Sequence, residues 1–221
     1  MTASTTAADF LVTGPDTGPL LLLAHGAGAP MTSAFMEVMA GMLTERGLAV
    51  ARFEFPYMAA RREGGKKRPP PKAETMVPTY LDVIAQAKAR WPDRTLIAGG
   101  KSMGGRIASL LASDAASRGD IAGLVCLGYP FHPPGQPTQL RTAHLMAMSC
   151  PALIVQGERD PFGSRKEIET MELPSTIGFH WAGDGDHDLG PRGGKGFTRK
   201  GNLAAAADAV AAFAASLQPN R

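Results

Sequence analysis

The sequence predicts an α/β protein: one domain over residues 1–221, built as a mostly parallel sheet with helices on both faces, in three layers. Three observations predict it. Short apolar runs recur without polar alternation, as in strands buried on both faces. Stretches with apolar residues at helical spacing follow these runs, the order of a parallel βα sheet. The residues suited to chemistry stand just after the runs, where such sheets bind ligands at the carboxyl ends of strands.

Residues 19–24 read as a buried strand ending in His25-Gly26-Ala27-Gly28. Thr32 or Ser33 can cap a helix whose stripe is Phe35, Val38, Met39, Met42 and Leu43. Residues 48–55 form a second strand, and a basic, proline-rich loop follows at 59–72. Met76, Tyr80, Leu81, Ile84, Ala87 and Trp91 mark the next helix, with Pro78 tolerable in its first turn. Residues 94–98 form a third strand that runs into Gly99-Gly100-Lys101-Ser102-Met103-Gly104-Gly105, after which Ile107, Leu110 and Leu111 mark a helix. Strands are expected at 121–127, 151–156 and 176–181, with a short charged helix at 164–171. An alanine-rich helix carrying Leu203, Val210, Phe213 and Leu217 closes the chain. No repeat, linker or second core interrupts this order, and residues 1–9 read as a flexible polar start.

Composition narrows the classes. The chain has 221 residues, 44% of them apolar, enough to fill a sizeable core. A net charge of +3 is too mild to imply a nucleic-acid partner. The first apolar run is too short for a signal peptide or a membrane span, so a cytoplasmic protein without a membrane partner is expected. The two cysteines, Cys126 and Cys150, read as buried free thiols. No metal site and no cofactor is expected. The run 184–188 lacks the glycine and glutamate of a calcium loop, and Thr95 stands where a phosphate loop ending in Lys101-Ser102 would need glycine.

Gly100-Lys101-Ser102-Met103-Gly104 fits G-x-S-x-G between a strand and a helix, the setting of a nucleophile elbow. The serine of such an elbow occupies a sharp, strained turn, and side chains two positions away on either side would clash. The turn also puts the serine oxygen at a helix N-terminus, which favours developing negative charge. In the α/β-hydrolase order that this elbow implies, an acid follows a later strand and a histidine follows the last one. Asp160 and His187 fit both places. Glu158, Asp184 and Asp186 are rival acids. Among the other histidines, His25 is read as shaping an oxyanion loop, His180 as packing, and His132 and His144 as rim residues. Two backbone N–H groups must hold the oxyanion, and Met103 and Ala27 are the candidates.

These residues carry a family resemblance. Ala24-His25-Gly26-Ala27-Gly28, Phe53-Glu54-Phe55-Pro56-Tyr57, the extended run from Gly99 to Arg106, Gln156-Gly157 with Asp160-Pro161-Phe162-Gly163, and Gly185-Asp186-His187 resemble a group of small predicted α/β-hydrolases. That group also includes a vertebrate testis-expressed protein and a subunit of a histone-acetylating complex. The resemblance implies a hydrolase fold with no large lid and names no substrate.

The leading expectation is a serine hydrolase acting on a small-molecule ester or thioester through an acyl-enzyme at Ser102. Acyl transfer by the same residues and a non-catalytic scaffold are the alternatives. The loop at 61–72 carries six basic residues and one acidic one, and starts on the active-site side. It is either a solvated loop or a partial cover that attracts an anionic substrate. Arg68, Tyr57 and Lys101 are the substrate-binding candidates, with Lys101 facing either the substrate or an acid such as Glu54. The sequence leaves the oligomeric state open.

Overall fold

A computed structural model describes residues 8–66, 69–193 and 196–217. Among these residues, seven strands form one sheet: β1 (Leu11–Thr13), β2 (Leu20–Ala24), β3 (Ala49–Phe53), β4 (Leu96–Lys101), β5 (Gly123–Leu127), β6 (Ala152–Gly157) and β7 (Ile177–Ala182). Their order is β1-β3-β2-β4-β5-β6-β7. Only β1 runs antiparallel, pairing with β3 from Leu11 opposite Arg52 to Thr13 opposite Val50. Strands β2 through β6 are buried at every position, which explains their unbroken apolar runs.

Helices α1 (Ala34–Thr44) and α6 (Arg199–Ser216) cover one face, closing a core over Leu21, Leu23, Ile97 and Val125. Helices α3 (Val77–Arg90) and α4 (Met103–Ser117) cover the other, over Leu20, Leu22, Ala98 and Cys126. Two further helices are short: α2 (Pro56–Arg62) and α5 (Arg165–Ile168). This is the expected three-layer α/β-hydrolase fold with no large lid. Both cysteines are free and buried, as read from the sequence.

Several local expectations are corrected. β1 had no forecast, because three residues offer no periodicity. It is an edge strand, and the neighbouring Phe10 sits edge-on against Trp91 at 5.3 Å. The basic loop does not begin at residue 59. Pro56 at the first helical position and buried Met58 start α2, which carries Arg61 and Arg62. The strand expected to stop at residue 98 continues through Gly99, Gly100 and Lys101, pairing onward to Leu127. Ser33 occupies the N-cap of α1 without a side-chain bond. The helix expected at 164–171 is a single turn: a Ser164–Glu167 capping box starts it, and only Ile168 is buried to hold it.

The topology fixes where a ligand can sit. The chain passes from β2 outward to β3, then returns across β2 to β4, so the order reverses between β2 and β4. Their carboxyl ends are neighbours, with Ala24 opposite Gly100. The loops leaving these two ends diverge to opposite faces and open a crevice between them.

Candidate active site

Ser102 sits between β4 and α4 with φ 52° and ψ −115°, a left-handed conformation that costs a non-glycine residue of order 1–3 kcal/mol. Its neighbours make that turn possible. A Cβ on Gly104 would lie 2.6 Å from the His25 carbonyl oxygen and 2.7 Å from that of Ala24, and one on Gly100 would overlap the backbone of Gly104. The Ser102 N–H donates to Leu127 O at 2.9 Å, which ties the turn to β5.

His187 arrives on the loop after β7. Its Nε2 lies 2.9 Å from Ser102 Oγ, and its Nδ1 lies 2.8 Å from Asp160 Oδ2. Asp160 is 1% exposed. Its Oδ1 accepts from the Phe162 N–H at 2.8 Å, and its Oδ2 also accepts from Gln156 Nε2 at 3.0 Å. The Phe162 ring lies over the imidazole, 4.3 Å between centroids.

The rival acids are occupied elsewhere. Asp184 accepts from the Arg192 N–H and guanidinium and pairs with Arg159 at 2.8 Å; the Arg192 guanidinium holds its carboxyl far below the ordinary range. Asp186 Oδ1 accepts from the N–H groups of Asp188 and Gly190, both at 2.9 Å, which folds the histidine loop. Glu158 accepts from the Asp184 N–H and Arg165.

Of the two readings of Lys101, the structure shows the pairing with an acid, but that acid is Asp188 rather than Glu54. Its ammonium is buried, donates to the His187 carbonyl at 2.8 Å, and pairs with Asp188 at 3.1 Å. Burial lowers its pKa, and Asp188 opposes that fall. Tyr57 supports the loop after β2: its hydroxyl donates to Ala27 O at 3.1 Å. His25 does shape this loop. Its Nδ1 bonds Gly26 O at 2.6 Å, and its Nε2 lies 3.1 Å from the Phe55 N–H. The Phe55 N–H needs an acceptor, so the proton sits on Nδ1. Burial lowers the pKa of this neutral imidazole to about 4. His132 is not on the rim but buried. His144 is half-buried, bonded to Ser109 Oγ at 2.8 Å, and burial lowers its pKa to about 4. His180 lies in β7, as expected.

Ser102, Met103 and Ala27 open onto one cleft of about 390 Å³. Pro70, Pro71 and Lys72, the end of the basic loop, form part of its wall. Arg68 and Lys67 lie outside the described residues. Arg61 lies over the Tyr57 ring at 5.8 Å, and Arg62 pairs with Asp9 at 3.1 Å and Glu54 at 3.4 Å. Lys72 is therefore the basic residue of that loop seen to reach the cleft. Three charged residues had no forecast there: Glu74, Arg106 and Arg141. Arg106 ends the glycine-rich run and gave that much signal; Arg141 gave none. A second depression, about 540 Å³ near Ser117, Ile121 and Pro151, lies at the amino end of β5 and is lined by no histidine or carboxylate.

Residues 17–215 match the family described as alpha/beta hydrolase domain. The chain belongs to the α/β-hydrolase family. Solved structures share the fold of this α/β-hydrolase. An alpha-beta serine hydrolase homologue from Coxiella burnetii matches with a TM-score of 0.69 at 18% identity, over 96% of this chain and 99% of that one. A dienelactone hydrolase from Anabaena variabilis has a TM-score of 0.69 at 17% identity, over 91% and 88%. Est1E from Butyrivibrio proteoclasticus, with ferulic acid bound, has a TM-score of 0.67 at 16% identity, over 93% of each chain. Among the described residues of this α/β-hydrolase, no helix is long and apolar enough to cross a membrane.

Proposed function

We propose that this α/β-hydrolase is a serine hydrolase that cleaves a small-molecule ester or thioester through an acyl-enzyme at Ser102. One observation carries the reading: the unbroken hydrogen-bonded chain from Ser102 Oγ through His187 to buried Asp160, at a strained elbow facing a cleft. In it His187 Nε2 takes the hydroxyl proton as Ser102 Oγ attacks the scissile carbonyl, while Asp160 holds the Nδ1–H tautomer and stabilises the imidazolium. The negative charge that develops on the carbonyl oxygen is met by the N–H groups of Met103 and Ala27. Met103 opens α4, so the helix does not use its N–H. His187 then protonates the leaving alkoxide or thiolate, and water enters by the same route in reverse.

The fold neighbours that are a serine hydrolase homologue, a dienelactone hydrolase and a ferulic-acid-bound Est1E support ester chemistry as the class. The extended Gly99–Arg106 run supports a place within the narrower lidless group. A fluorophosphonate probe tests the reading. Intact protein labels at Ser102, and Ser102→Ala abolishes both labelling and release of p-nitrophenol from short esters. A folded, unlabelled protein would instead leave a scaffold. Product formed on an added alcohol or amine acceptor in preference to water would turn the reading to acyl transfer.

A further inference from the structure

We infer that the cleft takes an ester or thioester whose substrate carries a second, carboxylate group, held by Arg141 with Arg106 and Lys72 beside it. The inference rests on Ser102 being the reacting residue.

Three cations and one carboxylate line this small cleft: Lys72, Arg106, Arg141 and Glu74. Glu74 is already committed, since its carboxylate pairs with Arg106. Arg141 makes no side-chain hydrogen bond or ion pair among the described residues, although it is only partly exposed. Burial and the like charge of Arg106 lower its pKa, with Tyr129 and Glu74 opposing that fall. Arg106 Nε is also buried without a hydrogen-bond partner among the described residues. An unpaired guanidinium in a partly desolvated wall, beside a second cation with a free N–H, is the complement of an anion.

Arg141 is also fixed in place. Its N–H donates to Phe131 O at 2.7 Å, and its carbonyl accepts from the Tyr129 hydroxyl at 2.7 Å. Both aromatic residues are fully buried. The backbone of Arg141 is thus pinned while its donors stay free. Arg106 lies one helical turn from Ser102, with its N–H bonded to Ser102 O at 3.0 Å. Ser102, Arg106, Arg141 and Lys72 all line the same cleft. A guanidinium fork matches a planar carboxylate in two hydrogen bonds.

Binding to the full-length Ser102→Ala protein tests this without turnover. The probes are monomethyl adipate, its neutral twin dimethyl adipate, and inorganic phosphate, titrated by ligand-observed NMR at low salt. The monoester is expected to bind about tenfold or more tightly than the diester. Arg141→Gln should bring that ratio close to one, and Arg141→Lys should leave an intermediate value. Circular dichroism melting checks each variant's fold. Equal binding of the two adipates overturns the inference even if no Arg141 variant folds. Tighter binding of phosphate than of the monoester overturns the carboxylate. Failure of the fluorophosphonate to label the native chain would refute the hydrolase reading instead, so the two failures are distinct.

Discussion

Replacing Asp160 by asparagine probes the proposed chemistry at one atom. In the native chain Asp160 Oδ2 accepts from His187 Nδ1 at 2.8 Å and from Gln156 at 3.0 Å, while Oδ1 accepts from the Phe162 N–H at 2.8 Å. Every neighbour is a donor. The amide NH2 of asparagine must then face one of them. Toward Phe162 it opposes a backbone N–H; toward His187 it opposes Nδ1–H and drives the imidazole into the other tautomer, which puts a proton on Nε2 against Ser102. The wrong tautomer cannot accept the serine proton, a loss on the order of 10³–10⁴ in rate for such triads. The assay is the second-order rate of fluorophosphonate labelling, which needs no known substrate. Two controls share the chemistry of the change but not the place. Asp186→Asn keeps an oxygen for the Asp188 and Gly190 N–H groups, so labelling should hold within about threefold. Asp184→Asn loses its charge against Arg159 and Arg192 and should lower the melting temperature more than the labelling rate. Labelling of Asp160→Asn within tenfold of native, or a greater loss in either control, would refute the reasoning.

Other expectations follow from the supports. Lys101→Met removes the ammonium that holds the His187 carbonyl, so labelling should slow about 10- to 100-fold through misplacement of the imidazole, and an unchanged rate would remove Lys101 as a positioning residue. Tyr80→Phe deletes a fully buried hydroxyl that lies within 2.8 Å of Leu22 O and of the Gly99 N–H. Leaving those groups unpartnered costs roughly 2–4 kcal/mol, a fall of about 5–10 °C for a chain of this size, read by thermal melting. His25, with its pKa lowered to about 4, makes the unfolded chain bind a proton that the folded chain refuses. Stability is therefore full above the ordinary pKa of 6.5 and declines as pH falls from there toward 4, on the order of 3 kcal/mol in all. Urea midpoints at stepped pH check it, and the His25 imidazole NMR signals should not titrate above pH 5.

The parts of this protein that the sequence made legible are those where one residue type is forced. Gly100 and Gly104 had to be glycine because neighbouring backbone occupies the space of a Cβ. Asp160 and His187 could be placed near Ser102 because a parallel sheet delivers the loops that follow its strands to one end. What stayed hidden depends on distant pairing. β1 is three residues long and exists because β3 offers an open edge. Lys101, inside the most specific run, could be read toward substrate or toward an acid such as Glu54, but its partners lie in a loop more than eighty residues away. Gln156 reads as the end of a strand, yet its side chain lies within 3.1 Å of Tyr129 O, Asp160 Oδ2 and Gly163 O, so it locks the acid's loop to β5. Arg141 gave no signal because nothing local marks a pinned backbone.

The same close contacts connect the elbow to the oxyanion loop. With a hydrogen at the Gly104 position instead of a methyl, α4 approaches the carbonyls of Ala24 and His25 at the end of β2. That approach brings the loop carrying Ala27 beside Met103, at the rim of one cleft. His25 and Tyr57 then hold two of that loop's carbonyls, those of Gly26 and Ala27. The lack of a side chain at Gly104 thus lets α4 lie against the end of β2, and the buried imidazole holds the loop that follows. The burial that lowers the pKa of His25 keeps that imidazole neutral, so a single tautomer both donates to Gly26 and accepts from Phe55. A protonated ring would turn a donor toward the Phe55 N–H and unfasten the loop. The acid-sensitive element of the fold and the proposed oxyanion hole are therefore the same loop, and loss of labelling at low pH should track loss of stability.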